Sequence, residues 1–102
     1  MVSLVEAKRD AIEALCNRFR VQRLEVFGSA TGTRFDPKTS DLDFLVEFQN
    51  LPVGERADAY FGLLKGLRDL FQRDIDLVTV AAVKNPFLRE SIERSKSLLY
   101  AA

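Results

Sequence analysis

Histidine is absent from this 102-residue sequence, and cysteine occurs once. Without imidazole, Ser-His-Asp and Cys-His nucleophilic catalysis, histidine general bases and imidazole zinc sites are all excluded. The lone Cys16 supplies neither a disulfide framework nor a thiolate metal site. Its neighbours Ile12, Leu15 and Phe19 mark it as a small buried hydrophobe on a helix face. No apolar run approaches the ~20 residues of a membrane span, and residues 1–6 carry no basic stretch ahead of an apolar one. A soluble, cytoplasmic chain is expected, and any chemistry has to run on carboxylates and a metal.

Charge of either sign is also in no excess. Lysine plus arginine number 15, aspartate plus glutamate number 15, and the two kinds are interspersed. No basic stripe points to nucleic acid, which is disfavoured as a substrate. With 47% apolar residues the chain is expected to form one domain over 1–102, large enough for one core. Such a domain has little sequence to spare for a second substrate-binding module, so a large substrate would dock on its surface or be held by a partner.

Ser3 and Glu6 have capping-box spacing, and Leu4, Lys8 by its stem, Ile12, Leu15, Cys16 and Phe19 follow at helical intervals, predicting a helix over residues 3–19. Residues 23–27 alternate polar and apolar as a half-buried strand that Gly28 ends. Residues 29–40 are small, polar or turn-forming and read as a loop. Residues 41–48 alternate again, with Asp41, Asp43, Leu45 and Glu47 on one face and Leu42, Phe44, Val46 and Phe48 on the other. After a connection over 49–54, Ala57, Tyr60, Phe61, Leu64, Leu67, Leu70 and Phe71 trace an amphipathic helix, in which Tyr60 and Phe61 read as core. A third strand over 74–80 and a final helix from Asn85-Pro86, with Leu88, Ile92 and Leu99 as its apolar stripe, complete the chain. Tyr100 reads as a surface tyrosine. The order helix, strand, loop, strand, helix, strand, helix predicts an α/β (α+β) domain: a small mixed sheet with helices packed on it.

Phe27-Gly28-Ser29 and Asp41-Leu42-Asp43 carry the chemistry. Two carboxylates two residues apart on a strand lie on one side and can reach the same divalent cations. Magnesium takes hard oxygen ligands and keeps positions for water and phosphate, so a third carboxylate would suffice. Asp76 is the obvious third, and Asp74 shares its face, so spacing leaves the pair open. A Gly-Ser turn upstream can hold phosphate oxygens through backbone N–H groups and a hydroxyl.

The strings Leu24-Glu25-Val26-Phe27-Gly28-Ser29, Ser40-Asp41-Leu42-Asp43-Phe44-Leu45-Val46 and Asp76-Leu77-Val78 resemble those of the minimal nucleotidyltransferases of the DNA polymerase beta superfamily. The resemblance extends to the helix start at Asn85-Pro86-Phe87 and covers most of the chain. It implies a polymerase beta-like palm fold, with Gly28 and Ser29 holding the β and γ phosphates of ATP. Asp41, Asp43 and Asp76 would hold two magnesium ions, and Asp76 would assist deprotonation of the attacking hydroxyl. Where the family has an arginine-rich stretch after Gly-Ser, this chain has Ala30-Thr31-Gly32-Thr33, with Arg34 and Lys38 as substitutes for the missing charge.

Minimal members of that family commonly pair with a helical HEPN toxin. The resemblance therefore implies an antitoxin that transfers AMP to a tyrosine of the HEPN protein. Size and zero net charge fit a protein acceptor, and a homo-oligomer is compatible with both. Two alternatives are a non-catalytic antitoxin or scaffold that inhibits by binding, and a small-molecule nucleotidyltransferase of the aminoglycoside-modifying type. Clustered carboxylates repel one another in the absence of a metal, which argues against the first. The second lacks a pocket-forming insert.

Overall fold

The computed structural model describes residues 3–28 and 41–102. The expected loop over 29–40, with Ser29, Arg34 and Lys38, lies outside the described residues.

Two helices, α1 (Ser3–Glu6) and α2 (Arg9–Arg18), stand where one helix over 3–19 was expected. The chain leaves helical geometry at Lys8, with φ −107° and ψ 11°. Arg9 reaches back to Glu6 at 2.8 Å and also donates to the Leu99 carbonyl. The bend lets Val5 and Ile12 enter one core, both fully buried. Strand β1 (Val21–Phe27) is antiparallel to β2 (Leu42–Phe48), and α3 (Val53–Phe71) crosses over to β3 (Ile75–Thr79), which is parallel to β2. Helix α3 begins earlier than its apolar stripe suggests, because Pro52 ends the connection and its carbonyl accepts the Arg56 N–H.

A short 3₁₀ turn (Val80–Ala82) leads to α4 (Pro86–Ser95), capped as expected by Asn85, whose side chain accepts the N–H groups of Phe87 and Leu88. The final helix does not run to the end. Lys96 is extended, and β4 (Ser97–Ala101) pairs antiparallel with the outer side of β1. The sheet order is β3-β2-β1-β4, so the predicted mixed sheet has a fourth strand. Leu99 is buried as expected, but from a strand. Pairing explains the switch: β1 would otherwise present an open edge of unpaired backbone groups.

Both sheet faces are covered. Leu24, Val26, Leu42, Phe44, Val46, Ile75, Leu77 and Leu99 pack against Ile12 and Cys16 of α2 and Leu63, Leu67 and Phe71 of α3. The opposite face carries a smaller cluster of Phe27, Leu45, Val83 and Ile92, roofed by α4. Tyr60 lies against the main core and donates its hydroxyl to the Leu77 carbonyl at 2.7 Å, tying α3 to β3. Phe61 is 65% exposed, so its place in the helical stripe did not put it in the core. Tyr100 is half-buried, with its hydroxyl on Asn17, so it is more than a surface residue.

Candidate active site

The two parallel strands β2 and β3 start at the same end of the sheet, and antiparallel β1 finishes there. Register makes the meeting specific: Phe27 is opposite Asp43, and Asp43 is opposite Asp76. Facing residues on adjacent strands project to one side, so the two carboxylates share the α4 face. Asp41 immediately precedes β2, is exposed, and its negative charge acts on Asp43. The structure places Asp74 and Asp76 differently relative to Asp43. Asp76 is the register partner of Asp43, while Asp74 precedes the strand and its carbonyl accepts the Leu42 N–H.

Asp43 is half-buried, and its carboxyl is pushed up from the usual 3.8 to about 6. Burial is the largest cause, followed by the negative charges of Asp76 and then Asp41. Asp43, the one of the three that is partly withdrawn from water, thus carries the charge of the other two at one end of the sheet.

Gly28 closes the site on the β1 side. Its φ of +73° is a left-handed conformation that side chains disfavour. A Cβ placed there would stand 2.6 Å from Oδ2 of Asp43. The turn therefore needs glycine both for its backbone angle and for the carboxylate against it. The Gly28 N–H donates to Oγ of Ser95 at 3.0 Å, so this amide already serves an internal contact between residues far apart in the chain. Ser29, the other half of the turn, is outside the described residues.

A second residue on this face escaped the sequence reading. Glu25 is only 4% exposed, beside Phe27 and Leu45, with Arg23 at 3.2 Å and Lys96 at 3.5 Å. Its polar place in an alternating strand suggested solvent. Cys16 behaves as expected: burial pushes its thiol up to about 12, leaving it inert as a nucleophile.

Among the described residues, no three His, Cys, Asp or Glu side chains close around a common point. Magnesium does not need such a cage, since it is commonly held by one or two carboxylates plus substrate phosphates. Facing Asp43 and Asp76, with the charge of Asp41 also acting on Asp43, fit such an ion by donor chemistry. Among the described residues no helix is long and apolar enough to cross a membrane.

The nucleotidyltransferase-domain family model matches residues 8–99. A Methanocaldococcus jannaschii protein named "Putative protein adenylyltransferase" is 36% identical over 86 residues, 84% of this chain and 82% of its own length. A second protein of that organism with the same description is 31% identical over 96 residues, 93% and 91% of the two lengths. A solved structure described as a "putative minimal nucleotidyltransferase" superposes with a TM-score of 0.63 at 31% identity, covering 95% of each chain. The fold is also shared with a chain in the complex of the tri-AMPylated Shewanella oneidensis HEPN toxin with MNT antitoxin. There the TM-score is 0.64 and identity 19%, over 95% of this chain and 72% of that one.

Proposed function

The chain belongs to the nucleotidyltransferase-domain family, and from that premise we propose that it transfers AMP from ATP to a hydroxyl of a partner protein. The acceptor is a tyrosine of a HEPN-domain toxin, and the chain acts as its antitoxin in the cytoplasm, as a single minimal domain over 1–102. The observation that carries this reading is the register opposition of Asp43 and Asp76, with Gly28 seated against Asp43. Support for a protein acceptor comes from the relatives named as protein adenylyltransferases and from the fold shared with the complex of an AMPylated toxin.

Asp41, Asp43 and Asp76 would hold a pair of magnesium ions together with the nucleotide phosphates. Such ions offset the charge of the triphosphate and of the departing pyrophosphate. Gly28 and Ser29 form the turn assigned to the β and γ phosphates. The acceptor hydroxyl oxygen bonds to the α-phosphorus, and the bond from that phosphorus to the β-phosphate bridging oxygen breaks. Pyrophosphate departs with the electron pair, and the hydroxyl proton passes to Asp76. Asp76 suits that role because it is exposed, where an acceptor can reach it.

The test uses ATP labelled at the α-phosphorus or at the γ-phosphorus, with magnesium and a HEPN-domain protein. Label from the α position on the acceptor, and none from the γ position, is expected. Label from the γ position instead would mean phosphoryl transfer and contradict the proposal.

A further inference from the structure

Ser95, the last residue of α4, lies 67 positions along the chain from Gly28, yet its hydroxyl touches the turn beside Asp43. The contact is directional on both sides. Ser95 Oγ accepts the Gly28 N–H at 3.0 Å and donates to the Ser91 carbonyl at 3.1 Å. A hydroxyl is the small side-chain group that can donate to a carbonyl and accept from an amide at once.

The position of Ser95 is fixed from its other side. Lys96 donates its N–H to the Ile92 carbonyl, and its ammonium lies 3.5 Å from buried Glu25. Ser97 then pairs with Val26, two residues before Gly28. The end of α4 is therefore clamped to β1 at Glu25 and Val26, with Ser95 brought to Gly28.

From these contacts we infer that Ser95 is a positioning residue for nucleotide binding: its hydroxyl locks the Gly28 turn in its left-handed form, against the Asp43 carboxylate. The inference rests on the proposed function only for what the turn holds. The Gly28 N–H belongs to the Phe27–Gly28 peptide, so the contact fixes that peptide where β1 meets the turn, with the Asp43 carboxylate against Gly28. Ser95 itself touches no substrate. Its loss should weaken ATP binding and leave the chemical step of bound nucleotide little changed.

The test compares wild type, Ser95→Ala and Ser95→Thr in three measurements: amide exchange at Gly28 by NMR without nucleotide, ATP affinity with magnesium by calorimetry, and thermal midpoint. Loss of one neutral hydrogen bond predicts Gly28 exchange faster, and ATP binding weaker, by about three- to ten-fold in Ser95→Ala. Ser95→Thr keeps the hydroxyl and should restore both, which a merely structural role would not require if the midpoints of the two variants agree. Unchanged Gly28 protection in Ser95→Ala overturns the lock, and lost protection with unchanged ATP affinity overturns the positioning role. Wild-type protein that binds no ATP overturns the functional reading itself. Wild type that binds ATP no better than Ser95→Ala overturns only the assignment to Ser95.

Discussion

Gly28 and Asp43 are complementary in shape: a methyl group on Gly28 would sit 2.6 Å from Oδ2 of Asp43, inside any permitted contact. The side chain missing from one residue is the space occupied by the carboxylate of the other. Because the opposing atom ends a short side chain, Gly28→Ala would move the carboxylate more than the strand.

Gly28→Ala should therefore lower stability modestly and transfer severely. A left-handed alanine costs about 1–2 kcal/mol. A displacement of about 1 Å at a reacting group costs about 100-fold in rate, so AMP transfer should fall at least that far. Denaturant unfolding and a transfer assay on the same preparation check the split. Equal proportional losses would point to unfolding instead.

Asp43 gives the metal-free protein a pH dependence whose sign is fixed. Its carboxyl binds a proton more readily folded, at about 6, than at the usual 3.8. Its contribution to stability is thus full below 3.8 and lost as pH rises through about 6. After allowance for solvent screening of a half-exposed group, the loss between acid and neutral pH is about 1 kcal/mol. Asp43→Asn should remove that loss, raising the neutral-pH midpoint in chelator by about 4–8 °C while abolishing transfer. A variant that melts lower than wild type under those conditions would contradict the assigned repulsion.

Glu25 should matter to the α4–β4 junction rather than to chemistry. Removing one partner of a fully buried ion pair costs about 3–5 kcal/mol. Here Arg23 and Lys96 keep 46% and 26% side-chain exposure and can rehydrate, so Glu25→Ala should cost about 1–2 kcal/mol. Hydrogen exchange should speed up first in residues 95–101, which Glu25 anchors through Lys96.

Gln72 ends α3 in the left-handed region, at φ 54°, with its N–H on the Arg68 carbonyl. Glycine adopts that angle without steric cost, so Gln72→Gly should raise stability by about 0.5–1 kcal/mol. The thermal midpoint measures it directly, with no change in transfer.

The parts of this fold written in local pattern were readable from sequence, and the parts set by distant partners were not. Alternation in 41–48 by itself separates the Leu42, Phe44 and Val46 core face from the Asp43 face. Asn85-Pro86 announced α4 because a cap and a proline act within one turn. By contrast, Leu88, Ile92 and Leu99 keep helical spacing, so nothing local ends α4 at Ser95. The end is imposed by the open edge of β1 and by Glu25 reaching Lys96. Asp76 and Asp74 were equivalent by spacing, and only the parallel register of β2 and β3 separates them. Ser95 carried no signal at all, since a serine in a helix announces neither its acceptor nor its donor.

The proposed transfer of AMP depends on the carboxylates at the joined ends of β1, β2 and β3. Its most direct test is the intact mass of a HEPN-domain partner after incubation with ATP, magnesium and wild-type protein, or with Asp41→Asn and Asp43→Asn variants. With wild type the partner should gain mass in whole AMP units, placed on tyrosine by fragmentation, and with either variant none. A partner silenced equally by all three proteins, with its mass unchanged, would contradict it.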